Sequence, residues 1–311
     1  MDSGRGQYFH VVSRVVDRRF IFGDMEKEIF FRMLRRHEGF SGVRVLSYCL
    51  MSNHFHLLVY VPARPEDIPE KEVIRRMKYI YKSEQIAEFR AYLKELNGEA
   101  GERMREEFLD KFRQRMYHLS HFVRELKLRF SKYYNIRNDR KGTLWEDRFK
   151  CSLIEGHSNA LMNTAAYIEL NPVRAGIVDD PAKYRWCSFT EAIAGNRKAR
   201  KGIITLASGM NLPLSYRDAI SRYRDFYIYK SRVQSEDKPG MSEDCSPDGV
   251  PPVPETITRI RYFTDGILLG SREFIEDWYF RNQENLHKGR KRISSPVKSG
   301  NEDDIHTYRK V

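Results

Sequence analysis

The sequence predicts an α+β fold, because segments with the two-residue period of strands alternate with segments of helical period. His54 to Val61 is an apolar strand with alternating side chains, and Leu119, Phe122, Val123, Leu126 and Phe130 follow helical spacing. The chain has 311 residues, of which 41% are hydrophobic. This length and content suffice for about two domains with a buried core.

The first four elements are predicted as strand, helix, strand and strand. Gln7 to Val16 is the first strand, and Asp24 to His37 is an amphipathic helix whose N-terminus Asp24 caps. Val43 to Met51 and His54 to Val61 are the next two strands, which a tight turn at Ser52 and Asn53 joins.

The second half of the fold adds a helix from Leu119, a short strand from Lys150 to Glu155 and a last helix from Ser158 to Asn171. This order of elements fits a ferredoxin-like split βαβ antiparallel sheet with helices on one face. Pro65 to His118 lies between the two halves and is predicted to be an inserted helical pair. Its apolar residues recur every four positions, at Met104, Phe108, Phe112 and Met116.

These predictions divide the chain into six parts. Residues 1–62 and 119–192 form the core domain, and 63–118 form the helical insertion. A helical extension covers 193–232, a flexible linker 233–255, a small helical module 256–282 and a disordered basic tail 283–311. The module is either a DNA-binding unit or a packing appendage.

The charge of the chain indicates a polyanionic partner. It has 55 Lys and Arg against 43 Asp and Glu, which gives a net charge of +12 and a pI near 9.4. Such a balance favours nucleic acid. Cys49, Cys151, Cys187 and Cys245 are scattered, which argues against a zinc ribbon or a disulfide framework. With no long apolar run and no signal peptide, we expect a soluble cytoplasmic protein that does not enter a membrane.

Two histidines on one strand form the strongest candidate for a metal site. His54 and His56 are two positions apart, so both imidazoles project from the same face of the sheet while Phe55 turns into the core. Two imidazoles on one face can bind one metal ion. The alternative is a pair of histidines on a half-exposed strand.

Tyr167 and Asn171 supply a second group of candidate residues. They are four positions apart in the last predicted helix, and Pro172 and Gly176 indicate that this helix ends near Asn171. An amide oxygen is a suitable ligand for Mg²⁺ or Mn²⁺, and a phenol beside it is a candidate nucleophile. Asn171 could instead cap the helix end. Glu169 points off this face, and we assign it no role.

Three motifs in the same order resemble the single-tyrosine HUH transposases, and among them the REP-associated tyrosine transposases of the IS200-like family. The motifs are His54-Phe55-His56, the block from Gly142 to Lys150, and the run from Tyr167 to Gly176. The resemblance covers residues 7–62 and 119–192. It implies a metal-dependent enzyme that cleaves and rejoins single-stranded DNA at hairpin-forming palindromic repeats.

The resemblance also implies a role for each candidate residue. Tyr167 is the nucleophile that forms a 5′-phosphotyrosine link, and His54, His56 and Asn171 hold Mg²⁺ or Mn²⁺. The partner is single-stranded or hairpin DNA, and the protein is a monomer or homodimer. The alternatives are a domesticated DNA-binding protein without strand transfer and a metal-dependent hydrolase. The hydrolase requires further ligands, and the sequence offers no such set.

Basic and aromatic residues interleave between Arg124 and Trp145, and this pattern predicts contact with nucleic acid. Lysine and arginine can follow a phosphate backbone while aromatic faces stack on unpaired bases. Phe130 is predicted to lie in the core instead. The predicted DNA-binding residues are Arg14, Arg18, Arg19, Lys132, Tyr133, Tyr134, Arg137, Arg140, Lys141, Arg148 and Lys150.

Overall fold

A computed structural model describes residues 6–156, 159–208, 214–236, 266–282, 295–296 and 306–309. The chain forms two compact units. The helical unit contains Gly6 and residues 15–44 and 60–146. The sheet unit contains residues 7–14 and 45–59 and the described residues from 147 onward. The six-part division made from the sequence stays a prediction. Among the described residues, no helix has the length and apolar content needed to cross a membrane.

Four strands form the predicted antiparallel core of the sheet. They are β1 (Gln7–Arg14), β2 (Arg44–Leu50), β3 (His54–Val61) and β4 (Lys150–Ile154), in the spatial order β2-β3-β1-β4. This order is that of a ferredoxin-like sheet, so the predicted α+β fold is confirmed. Strands β1 and β4 are antiparallel, and His10 lies opposite Ser152. The predicted turn at Ser52 and Asn53 is closed by the Met51 amide, which donates to the His54 carbonyl at 2.9 Å.

The C-terminal part of the chain adds three strands that the sequence analysis did not predict. They are β5 (Gly266–Gly270), β6 (Ser295–Pro296) and β7 (His306–Arg309). Strand β5 is parallel to β4 and antiparallel to β7. The small helical module predicted at 256–282 contains the helix Arg272–Arg281 and also strand β5, and the strands Ser295–Pro296 and His306–Arg309 lie within the segment 283–311 that was predicted to be a disordered tail. Their pairing satisfies backbone groups that an open β4 edge leaves without partners.

Five helices belong to the helical unit. They are α1 (Asp24–Ser41), α2 (Glu70–Met77), α3 (Ser83–Glu95), α4 (Gly98–Arg113) and α5 (Leu119–Arg137). The insertion thus contains three helices rather than the predicted pair. Val73, Met77, Leu109 and Phe112 bury their side chains in one cluster with Phe40 of α1, which explains why the insertion folds onto this unit.

The start of α1 differs from the prediction. Gly23 occupies the N-cap position and Asp24 is the first helical residue, so Asp24 is not the cap. Its carboxylate still lies in the first turn, where it interacts favourably with the helix dipole. Phe130 is fully buried and stacks on Phe22 with ring centroids 4.9 Å apart, which confirms its predicted core position.

Six α-helices belong to the described part of the sheet unit. They are α6 (Asn159–Glu169), α7 (Asn171–Arg174), α8 (Ser188–Ile193), α9 (Arg197–Ser208), α10 (Tyr216–Glu236) and α11 (Arg272–Arg281). Helices α9 and α10 make up the predicted helical extension. The linker predicted at 233–255 lies outside the described residues from residue 237 onward, and residues 233–236 belong to α10.

The predicted helix from Ser158 to Asn171 is divided at Leu170. Pro172 has no N–H, so the Ile168 carbonyl loses the hydrogen bond that an uninterrupted helix would supply. Pro172 instead takes a favourable position in the first turn of α7. Asn171 therefore begins a second short helix, rather than ending the first.

Candidate active site

His54 and His56 project from β3 as the alternation of the strand predicts. Their ring centroids are 5.0 Å apart, and the rings meet edge to face. His54 is half-buried, whereas His56 is only 2% exposed. Both residues lie in the sheet unit, as do all the other residues of the site described below.

The hydrogen bonds of the two histidines leave the same nitrogen available on each ring. The Nδ1 atom of His54 is 2.7 Å from the Asn53 side-chain oxygen, and Nδ1 of His56 is 3.0 Å from Nε2 of His10. The Nε2 atoms of His54 and His56 have no hydrogen-bond partner among the described residues. A histidine whose Nδ1–H is donated presents a lone pair at Nε2, which is the usual state of a metal ligand.

The protonation of both rings also suits metal binding. Burial, followed by the charges of Arg14 and Arg174, lowers the pKa of His54 to about 4. Burial likewise lowers the pKa of His56 well below its ordinary value, followed by the influence of the neighbouring His54 and His10. Both imidazoles are therefore neutral near pH 7 and able to coordinate a cation.

His10 is a site residue that the sequence analysis missed. It lies on β1, which neighbours β3, and it is only 1% exposed. Its ring stacks on His56 with centroids 5.2 Å apart and an angle of 13° between the planes. The only sign of this residue in the sequence was a histidine within the first strand. Its role depends on which strand pairs with β1, and the sequence alone does not show that.

Tyr167 on α6 reaches the same face of the sheet. Its ring meets His56 and His10 edge to face, with centroids 5.7 and 5.9 Å away. The side chain is 3% exposed. The guanidinium of Arg174 lies over the Tyr167 ring at 4.1 Å from its centroid, and it also donates to the Tyr167 carbonyl. A cation above the ring favours negative charge on the phenol.

The Asn171 side chain donates hydrogen bonds to carbonyls at the end of α6, and its own oxygen stays available. Its Nδ2 donates to the carbonyls of Tyr167 and Ile168, both at 3.0 Å. The second bond replaces the one that Pro172 cannot donate. Oδ1 accepts no hydrogen bond from the described residues. Capping and metal coordination were alternatives in the sequence analysis, but they involve different atoms of the same amide and are compatible.

Glu169 holds α6 in place from below the site, a role that the sequence analysis did not foresee. The carboxylate is fully buried, and its Oε1 accepts hydrogen bonds from Ser47 at 2.9 Å, Ser188 at 2.6 Å and Tyr223 at 3.2 Å. Its Oε2 accepts from the Phe189 amide at 2.9 Å. These donors come from β2, α8 and α10, so one side chain joins the helix that bears Tyr167 to three other elements.

The donor set of the site fits a hard divalent ion with few protein ligands. The described residues contain no group of three or more His, Cys, Asp or Glu side chains arranged to hold a metal. His54, His56 and the Oδ1 atom of Asn171 are the ligands that the sequence analysis predicts, and their joint binding of a metal ion stays a prediction. Their sparseness leaves positions for oxygen atoms of a substrate.

The predicted DNA-binding residues occupy both units. Arg148 and Lys150 are exposed in the sheet unit, and the charge of Arg14 acts on His54. In the helical unit Arg18, Arg19, Lys132, Arg137 and Lys141 are exposed, and Tyr133 and Tyr134 are half-buried. Arg140 is held in its loop by the Asn135 side chain and the Thr143 carbonyl. Whether these residues bind DNA stays a prediction.

Two residues of the basic and aromatic stretch belong to the core of the helical unit. Trp145 is 7% exposed, and its indole N–H donates to the Ser131 hydroxyl at 2.8 Å. The ammonium group of Lys127 lies 5.2 Å from the centre of the Trp145 ring, and Lys127 is 8% exposed. Trp145 therefore packs within the unit, rather than offering its face to a nucleic-acid base.

The sequence model of the family described as "Transposase IS200 like" matches residues 5–110, which confirms the resemblance to these transposases over that segment. The segment contains His10, His54 and His56 and ends before Tyr167. No curated protein matches the chain. One similar solved structure is described as the REP-associated tyrosine transposase bound to a REP hairpin. It shares 12% identity with this chain, covers 61% of this chain and 81% of its own, and has a TM-score of 0.36.

Proposed function

We propose that this protein is a metal-dependent transposase that cleaves and rejoins single-stranded DNA through a covalent tyrosine intermediate. One observation carries the proposal: His54 and His56 present their free Nε2 atoms beside Tyr167, whose ring lies 5.7 Å from His56. The match of residues 5–110 to IS200-like transposases supports the same activity.

His54, His56 and the Oδ1 atom of Asn171 would hold Mg²⁺ or Mn²⁺. When bound, such an ion polarises a phosphodiester and stabilises negative charge on the departing 3′ oxygen. His10 would keep the His56 ring in the orientation that presents Nε2, because the Nε2 atom of His10 lies 3.0 Å from Nδ1 of His56, within hydrogen-bond distance. The hydrogen bond of His54 to Asn53 has the same effect on the other ring.

Tyr167 is the proposed nucleophile. Its phenol oxygen forms a bond to phosphorus, the bond from phosphorus to the 3′ oxygen breaks, and the 3′ oxygen leaves as a hydroxyl group after taking up a proton. A tyrosine phenol is protonated at neutral pH, so its proton must depart as the bond forms. Arg174 above the ring stabilises the negative charge that develops on the phenol oxygen.

The product is a 5′-phosphotyrosine link and a free 3′-hydroxyl. The covalent link preserves the energy of the phosphodiester, so the 3′-hydroxyl of a second strand can attack it and release Tyr167. The substrate that the sequence resemblance favours is a strand with hairpin-forming repeats. The net charge of +12 supports a DNA partner. We place the protein in the cytoplasm as a monomer or homodimer.

A DNA-binding protein without strand transfer is the alternative, and one observation favours it. Tyr167 is 3% exposed, as a tyrosine packed beneath a helix end would be. The two functions differ in whether the phenol oxygen forms a covalent bond to DNA. Replacing Tyr167 with Phe removes this oxygen and keeps the ring.

The test incubates the full chain with Mg²⁺ and a hairpin-bearing single strand labelled on either side of the cleavage site. On denaturing gels, label on the 3′ side of the break should travel with the wild-type protein, and Tyr167→Phe should abolish this adduct while DNA binding persists. Tyr184→Phe is a matched control, because the Tyr184 hydroxyl is likewise on a buried side chain and its hydrogen bond is to the Leu50 carbonyl. An adduct in Tyr167→Phe, or label of the opposite polarity, contradicts the proposal.

A further inference from the structure

Phe20 is the most exposed large apolar side chain among the described residues, at 82%. It ends a run of four exposed residues, 17–20, in the turn that precedes α1 within the helical unit. Val15 before this run and Ile21 after it are buried. Single exposed apolar residues are common on protein surfaces, so exposure by itself does not indicate a binding site.

The turn that carries Phe20 is fixed at both of its ends. Before the exposed run, the Val16 amide donates to the Leu144 carbonyl at 3.1 Å. After it, Phe22 is 3% exposed and stacks on Phe130 with ring centroids 4.9 Å apart. Phe20 is thus held two positions from a ring of the core. Its side chain can contact a partner with little loss of backbone entropy, because the turn is already ordered.

The backbone of this turn is strained. Asp17 and Arg18 have φ angles of 55° and 54°, in the left-handed region that residues other than glycine rarely adopt. The Arg18 amide donates to the Val15 carbonyl at 3.1 Å, which closes the turn in this conformation. Strain of this kind persists where the surrounding structure fixes it, and it is concentrated at functional sites. The conformation therefore indicates a binding role for the exposed residues of the turn.

The exposed side chains of the turn define the chemistry of a partner. Arg18 and Arg19 are exposed beside Phe20, and Asp17 is the one acidic residue of the run, so the run has a net positive charge and one aromatic ring. A guanidinium group binds phosphate, and a phenylalanine ring stacks on a flat apolar surface. An unpaired nucleotide offers both, because phosphates flank a base whose π-face is open. A base inside a duplex is stacked on its neighbours and lacks this open face.

We propose that Phe20 stacks on one unpaired base of the DNA while Arg18 and Arg19 contact the phosphates beside that base. The inference rests on the proposed function for the identity of the polymer. DNA contact is predicted from the sequence for the two arginines, whereas Phe20 is a new site residue. Because every base has a π-face, this contact favours unpaired over paired DNA and does not select a base sequence.

The test measures binding of the full chain to a fluorescent hairpin-bearing single strand by fluorescence anisotropy, in EDTA to keep binding apart from metal-dependent cleavage. Phe20→Ala should weaken binding about fivefold or more, the loss expected for one stacked base. The slope of log affinity against log salt should stay unchanged, because Phe20 carries no charge. Phe280→Ala is the matched control, since Phe280 is 58% exposed and lies on α11. Equal affinity in the two variants overturns the proposal, as does a lower slope in Phe20→Ala, which would mean that the substitution displaces the arginines.

A series of strands with one abasic site at each unpaired position locates the stacked base. At one position, removal of the base should weaken wild-type binding as much as Phe20→Ala does, and it should have no further effect in that variant. Equal sensitivity of the wild type and Phe20→Ala at every position overturns the stacking contact.

Sedimentation of the free protein tests the other occupant of this turn, a second copy of the chain. The mass of the particle should be the same for the wild type and Phe20→Ala. A lower mass in Phe20→Ala with unchanged affinity for DNA overturns the proposal. An adduct at Tyr167 forms or fails independently of these measurements, so the two proposals are separable.

Discussion

Removal of the Glu169 carboxylate should destabilise the sheet unit, because this side chain is the shared acceptor of four donors. Glu169→Ala leaves the hydroxyls of Ser47, Ser188 and Tyr223 and the Phe189 amide without their acceptor in a buried site. At about 1 kcal/mol for each hydrogen bond, the expected loss is about 4 kcal/mol. Such a loss is a large part of the total stability of an ordinary domain.

Glu169→Gln is the more informative variant, because it keeps the shape of the side chain. Its amide oxygen can accept from the Phe189 amide while its NH₂ group donates to two of the three hydroxyls, which can rotate to accept. We expect a cost of about 1 kcal/mol or less for this rearrangement. The difference between the Ala and Gln variants then measures the buried hydrogen bonds rather than the charge.

A comparison of the wild type with Glu169→Gln tests the titration of Glu169. Burial raises its pKa from 4.5 to about 7, and hydrogen bonds from Ser188, Ser47, Phe189 and Tyr223 oppose this rise. Between these pH values the folded protein binds a proton that the unfolded chain has released. Stability from this group is therefore fully present below about pH 4.5 and decreases as the pH rises to 7, by roughly 3 kcal/mol.

The free energy of unfolding is measured by urea denaturation of the full chain at several pH values between 4.5 and 7.5. Far-ultraviolet circular dichroism follows the unfolding. The free energy of unfolding of the wild type minus that of Glu169→Gln should fall across this range, because glutamine does not titrate. Glu88→Gln, at an exposed position on α3, serves as the control for loss of a carboxylate. A constant difference between wild type and Glu169→Gln across the range would refute the reasoning.

Three other predictions concern the site and the DNA surface. His54→Ala should abolish cleavage with little change in melting temperature, and EDTA should do the same until Mg²⁺ or Mn²⁺ is added; unchanged cleavage in EDTA would exclude the metal. Asn171→Ala should raise the Mn²⁺ concentration for half-maximal cleavage at least about tenfold and should also lower the melting temperature. A lower melting temperature with an unchanged Mn²⁺ titration would show that Asn171 caps the helix end and does not bind the metal. Replacing Lys132, Arg137 and Lys141 with Ala should reduce the salt dependence of single-stranded DNA binding by about 0.7 in log-log slope per lost contact, and an unchanged slope would place the DNA elsewhere.

The structure changes the expected behaviour of one histidine variant. On the sequence alone, both His54 and His56 have no evident packing partner other than the ion. The structure shows that His56 stacks on His10 and meets Tyr167 edge to face. Its removal leaves a cavity, which costs stability as well as a ligand. His54 is therefore the cleaner position for a test of metal binding.

Local periodicity was enough to identify those candidate site residues that lie together on one face of a single strand or helix. The two-residue period of β3 places His54 and His56 on one face, and helical spacing brings Tyr167 near Asn171. The core order strand, helix, strand, strand, helix, strand, helix was likewise visible in the sequence, because each element carries its own pattern of apolar residues. These features depend on neighbours within a few positions along the chain.

Tertiary structure alone decided which residues support the site. His10 meets His56 from 46 positions away because β1 lies beside β3. Glu169 binds Ser47 from 122 positions away, and Tyr223 from 54. The described C-terminal strands join the sheet because β4 has an edge to pair with. Buried hydrogen bonds and strand edges are satisfied by whichever partners the fold brings near, and local sequence periodicity carries no information about that choice.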